Sequence, residues 1–96
     1  ISGKVVDSVA RSTLDAWGYG KYFGHGLGHG VGLEIHEAPT ASPSSQYMLK
    51  EGMILTDEPG VYISGKFGVR IEDMVVVTED GCRNLTNTTK ELMIIN

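Results

Sequence analysis

A single cysteine, Cys82, is all that the chain carries, so no internal disulfide can form; a reducing compartment, with the cytoplasm as default, is the expected setting. Long apolar runs are missing too: Met74 to Val77 falls far short of the ~20 residues that a bilayer span needs. The residues after Ile1 do not read as a charged, apolar, small-residue leader, so a soluble segment is expected. Positive charge is scarce, with 8 Lys and Arg against 12 Asp and Glu and a net charge of -4, so neither nucleic acid nor an anionic membrane is an expected partner. What remains is 96 residues, 41% hydrophobic and 21% charged, a balance that fits one small globular unit and excludes disorder.

Glycine, by contrast, is abundant: 13 residues, about twice the ~7% of average usage. Ahead of the glycines, Val5, Val9 and Thr13 lie beside Val6, Ala10 and Leu14 as two i, i+4 rows, which predicts a helix. Asp7 and Arg11, then Arg11 and Asp15, are read as pairs on its polar side, each worth roughly 0.2 to 0.5 kcal/mol. Gly18 and Gly20 should end it. Gly24, Gly26, Gly28, Gly30 and Gly32 exclude a further helix, because each costs about 1 kcal/mol relative to Ala there. Leu27 to Ile35 alternates strictly and predicts a strand with one glycine-thin face, a sign that another backbone or a ligand comes close.

Beyond that strand, Pro39 to Ser45 reads as a loop, and Met53 to Thr56 and Val61 to Ile63 as strands around a turn at Glu58, Pro59 and Gly60. Val69 to Thr78 reads as one long strand closed by a turn at Glu79 to Gly81, and Leu92 to Ile95 as a last short strand. The expected class is therefore α+β, one helix followed by four or five antiparallel strands.

Three histidines fall within twelve residues: His25, His29 and His36. A helical zinc site fails, since the glycines forbid the helix and the catalytic Glu of that motif is missing. His29 shares parity with Val31, Leu33 and Ile35, which points it toward apolar surroundings where it needs a metal or a carboxylate as partner. Glu58 and Glu72 stand in apolar strand context, where acidic residues are paired or metal-bound. A surface pair with Arg70 is the plain alternative for Glu72, and a turn carboxylate before Pro59 the plain alternative for Glu58. Tyr19, Tyr22 and Phe23 either wall a substrate or pack the helix end.

His25 to Pro39 (HGLGHGVGLEIHEAP), Leu55 to Gly60 (LTDEPG) and Gly68 to Asp73 (GVRIED) together resemble the Xaa-Pro aminopeptidase and prolidase group of pita-bread metallopeptidases, in the order that group uses. The resemblance spans about half the chain, and it implies a dinuclear site with two aspartates, one histidine and two glutamates. His29, Glu58 and Glu72 match the histidine and the two glutamates. Nothing here resembles the segment carrying the aspartates, so residues 1–96 are expected to be the C-terminal half of a pita-bread fold, a partial catalytic domain inactive and metal-free without its upstream half. By the same resemblance Glu58 is also general base, His25 contacts substrate, His36 donates to the scissile carbonyl or the proline nitrogen, and Arg70 orients Glu72. The donor set favours Mn²⁺ or Co²⁺, with Zn²⁺ able to compete, and the substrate would be a proline-containing peptide. A homodimer is a further option, since members of the group are often dimers.

One conflict stands inside this reading. His29 and His36 are seven apart, so an unbroken strand puts them on opposite faces; a bulge or bend at Gly30 and Gly32 is expected. The rivals are a methionine aminopeptidase-like enzyme, in which a histidine usually follows in the segment of the bridging glutamate, and a non-catalytic pita-bread binding module, which typically loses the ligands retained here. Creatinase-type hydrolysis would not need the carboxylates.

Overall fold

The protein is described by a computed structural model covering residues 1–95. Helix α1 spans Gly3–Ala16. Ser2 starts it, its Oγ accepting from the Val5 N–H at 3.2 Å. Gly18 ends it with φ of 84°, a left-handed turn that lets the Tyr19 N–H reach back to the Leu14 carbonyl at 2.8 Å. The stripe read from the sequence is the one that packs: Val6, Ala10 and Leu14 lie against the buried cluster of Phe23, Leu27, Ala41 and Leu55. Phe23 is thus a core residue, whereas Tyr19 is exposed.

Seven strands follow among the described residues: β1 Gly28–Gly30, β2 Glu37–Ala41, β3 Ile54–Asp57, β4 Gly60–Ile63, β5 Phe67–Arg70, β6 Asp73–Val77 and β7 Cys82–Asn84. Five form an antiparallel sheet in the order β2-β1-β3-β6-β7, and β4 and β5 form a separate antiparallel hairpin. Helix α1 lies over the β2 end. Beside it Val6, Leu27, Leu49, Leu55, Val75 and Val77 line an apolar hollow.

Several expected elements move. The strand predicted over Leu27 to Ile35 stops at Gly30, and residues 31–36 leave the sheet in a series of bends with Leu33 and Ile35 in solvent. Their alternation therefore reports no buried face, and His29 does not share an apolar side with them. The chain re-enters the sheet at Glu37, so part of the predicted loop at Pro39 is β2. The long strand over Val69 to Thr78 breaks at Ile71 and Glu72, where the backbone leaves partner β4 for partner β3. Leu92 to Ile95 forms no strand and is exposed, having no partner strand to cover it; the last strand is instead β7, on β6.

The glycine-thin face is explained by backbone contact. A side-chain carbon at Gly28 would run into the Thr56 carbonyl oxygen, and one at Gly30 into the Ala38 carbonyl oxygen. The expected irregularity is present at this point: Gly28 pairs with Ala41 and His29 with Thr40, but Gly30 pairs with Glu37.

Candidate metal centre

Two chain crossings build the site. Between β3 and β4 the chain passes through Glu58 and Pro59, and between β5 and β6 it passes through Ile71 and Glu72. The crossings run side by side, tied by the Ile71 N–H to the Pro59 carbonyl at 3.3 Å. The final rung of the β3–β6 ladder pairs Asp57 with Asp73, so Glu58 and Glu72 emerge together just past it. Strand β1 is stitched to the same point: the Glu58 N–H donates to the Leu27 carbonyl at 2.8 Å, and the His29 N–H to Thr56 Oγ1 at 3.0 Å.

His29 Nδ1 lies 2.8 Å from the Gly30 carbonyl oxygen. A carbonyl only accepts, so Nδ1 carries a proton, and in a neutral ring the Nε2 lone pair would be turned outward. Nε2 lies 3.5 Å from Glu58 Oε2. Two electron-rich atoms face each other across a gap that either a proton or a cation satisfies. Glu72 presses its carboxyl on Glu58, and its affinity for a proton is raised, first by desolvation, then by the hydrogen bond and the charge of Glu58; Arg70 and His29 pull the other way. Arg70 Nε stands 3.9 Å from Glu72 Oε2 with both side chains about half exposed, a loose pair.

His36 is brought back onto His29 by the bends after β1, with ring centroids 4.6 Å apart and planes at 75°. His25 is held at both nitrogens: Nδ1 against the Gly26 carbonyl at 2.7 Å, which fixes the proton there, and Nε2 against the Tyr62 hydroxyl at 2.8 Å, which then donates. His25, His29, His36, Glu58 and Arg70 line one cleft with Gly26 and Gly28. Thus the five face a common space, while Glu72 touches it through Glu58. Among the described residues no group of three His, Cys, Asp or Glu side chains is arranged to hold a metal ion by itself. The chemistry of the donors nonetheless fits a hard or borderline cation: one imidazole whose Nε2 faces a carboxylate, and two carboxylates crowded together with Arg70 loosely beside them.

Tyr62 is a participant that the sequence did not single out, whereas the expected pair of Asp7 and Arg11 forms, with Nε 2.9 Å from Oδ2, but not where it was expected. Asp7 is a correction: it is 1% exposed, not on a polar face, and Arg11 reaches past it to the loop before β1. The spacing Gly3, Asp7, Ala10, Leu14 places Asp7 on the buried stripe, a signal that was there to be read.

Comparison with known proteins bears on what this cleft is. Residues 1–79 match the profile of metallopeptidase family M24. The chain is 54% identical over 93 residues to the Xaa-Pro dipeptidase of Pyrococcus furiosus, which covers 97% of this chain and 27% of that protein. It superposes on the solved structure of a Xaa-Pro dipeptidase from Bacillus anthracis with a TM-score of 0.94 at 48% identity, over 99% of this chain and 27% of that one. An X-prolyl aminopeptidase from Caenorhabditis elegans, described as a cytosolic enzyme with a di-nuclear active site, matches with a TM-score of 0.68 at 36% identity, over 88% of this chain and 14% of its own. The chain spans about 27% of the length of the relatives it matches first, and the part it matches is the C-terminal part of their catalytic domain. One helix against antiparallel sheets is the pita-bread arrangement of those enzymes. No described helix is long and apolar enough to cross a membrane. By profile, by identity along nearly its whole length and by fold, the chain belongs to metallopeptidase family M24.

Proposed function

We propose that the protein carrying this chain hydrolyses the peptide bond preceding proline in peptides, as an Xaa-Pro dipeptidase or aminopeptidase with two divalent metal ions. The observation that carries the reading is the meeting of His29 Nε2 and Glu58 Oε2 at 3.5 Å, with Glu72 against Glu58. In this reading His29, Glu58 and Glu72 hold the ions, together with two aspartates from the rest of the protein, and residues 1–96 are the C-terminal portion of the catalytic domain. Mn²⁺ or Co²⁺ suits one imidazole among carboxylates, with Zn²⁺ as competitor. When bound, the ions supply positive charge that polarises a carbonyl and eases ionisation of water.

The chain's own residues do the rest. Glu58 takes the proton of the attacking water on its carboxylate. His36, exposed and stacked edgewise on His29, donates to the carbonyl oxygen or passes a proton to the proline nitrogen. His25, fixed by Tyr62 and Gly26, contacts the substrate beside the scissile bond. Arg70 steadies Glu72. The cytoplasm is the proposed compartment, and self-association as a dimer is compatible with this reading.

Assay of the full-length protein on an Xaa-Pro dipeptide and on a longer Xaa-Pro peptide, with and without added Mn²⁺, is the test. Metal-dependent turnover is expected; none in any arm would overturn the reading in favour of a binding module. Residues 1–96 alone are proposed to be inactive and to lack tight sites, because they contribute three donors of which Glu72 is half exposed. Calorimetric titration finding two tightly held ions on the isolated residues would refute that.

A further inference from the structure

The loop from Phe23 to Leu27 carries His25 and feeds His29 into β1, yet Gly24 and Gly26 leave it little stiffness of its own. It is tied instead to helix α1. Arg11 Nη1 donates to the Phe23 carbonyl at 2.8 Å and Nη2 to the His25 carbonyl at 2.9 Å. Asp7 takes Arg11 Nε on Oδ2 at 2.9 Å and Nη2 on Oδ1 at 3.1 Å, and its Oδ1 also accepts the Leu27 N–H at 3.0 Å. The guanidinium carbon sits 4.3 Å from the Phe23 ring centroid. Every second residue of the loop therefore has a backbone atom bound to one bidentate pair on a packed helix.

We propose that Asp7 and Arg11 are positioning residues for His25, setting where its ring stands in the cleft; this rests on the reading of His25 as a substrate contact. Only an arginine serves. Its planar fork addresses a carboxylate and two carbonyls at once, whereas a lysine ammonium is a single point with three donors on a flexible stem. A purely structural plug would cost stability without regard to what residue 25 is. A positioning device acts on the reaction through His25, whose carbonyl Arg11 itself holds.

The test is a double-mutant cycle in the full-length protein: Arg11→Lys and Arg11→Met, each with His25 intact and with His25→Ala, read as kcat/KM per folded, metal-loaded molecule. With His25 present, Arg11→Lys should lower kcat/KM about 10- to 100-fold, the scale of an ångström-sized misplacement. With His25→Ala it should add no further loss. Equal losses in both backgrounds, or none with His25 present, overturn the proposal. Should Arg11→Met fail to fold, the lysine variant decides. Hydrogen exchange of the metal-free protein gives a second readout: faster exchange confined to residues 24–27 in Arg11→Lys supports the proposal, and an unchanged or uniformly raised rate overturns it. Absence of Xaa-Pro hydrolysis by the wild type would sink the proposed function instead, and the exchange pattern would then decide the loop's tether.

Discussion

Gly28 and Gly24 sit four residues apart in the same glycine-rich stretch, and the structure assigns them opposite consequences. A methyl group at Gly28 overlaps the Thr56 carbonyl oxygen, a backbone atom that no rotamer change can move. To restore ordinary contact at about 3.5 to 4.0 Å, β1 and β3 must separate. Strain of that kind costs about 1 to 3 kcal/mol. Separation also pulls His29 from Glu58, since the two are joined across β1 and β3 by the Glu58 N–H to Leu27 bond and the His29 N–H to Thr56 bond. At Gly24 nothing lies within 4 Å of the added carbon, and φ is not in the left-handed range. Gly24→Ala should therefore be neutral or stabilise by about 0.4 to 1 kcal/mol, through a less flexible unfolded chain. Urea titration of the full-length protein, with unchanged m values, would measure both, and isothermal titration with Mn²⁺ would follow the proposed metal site. The reasoning is refuted if the two substitutions shift the midpoint equally, or if Gly28→Ala leaves both stability and metal affinity intact.

Other perturbations separate the remaining roles. Glu58→Gln keeps the shape of the side chain but removes its basicity, and turnover should fall by roughly 10² to 10⁴ if it moves the proton; near-normal kcat would remove it from that role. Arg70→Met should change stability by no more than about 1 kcal/mol, because the 3.9 Å pair with Glu72 is exposed; a larger loss in urea titration would mean a tighter pair. Asp57 is held above the ordinary aspartate value, by desolvation and then by the charge of Asp73, so its ionised form opposes folding above that raised value. Asp57→Asn should then stabilise at neutral pH, with the gain vanishing as pH falls toward about 3.9, and thermal midpoints across that range would show it. Asp73 behaves in the opposite sense: Lys90, 2.8 Å from its Oδ1, holds it below the ordinary value, so its contribution is present at neutral pH and lost as pH falls through the lowered value. Lys90→Met should flatten that acid-side loss, and an unchanged pH profile would show that the approach adds nothing.

The helix was legible because its stripe of Val6, Ala10 and Leu14 does pack, and because Gly18 closes it in the one conformation that favours glycine. The motif residues could be placed in one cleft because their order along the chain matched a known pattern, not because periodicity located them. Periodicity misled at Leu33 and Ile35, whose alternation has no sheet to face once the register slips at His29 and Gly30. It also missed the break at Ile71 and Glu72, since a strand that exchanges one partner for another keeps its composition while changing its ladder. Asp7 was misread for a different reason. A carboxylate four residues from an arginine looks like half of a surface pair until the third hydrogen bond it accepts, from the distant Leu27 N–H, is known.

The adjacent crossings that carry Glu58 and Glu72 divide the β4–β5 hairpin into a base and a tip with unequal freedom. The base is pinned by the Ile71 to Pro59 bond and by the four rungs from Ile54–Val76 to Asp57–Asp73. The tip, at Ser64, Gly65 and Lys66, is solvent-facing and turns at a glycine with φ of 76°. Lengthening or recolouring that tip leaves the spacing of the two acids untouched, whereas slipping β3 against β6 by one residue sends them to opposite sides. The scaffold thus separates the fixed spacing of the two acids from a rim that is free to drift.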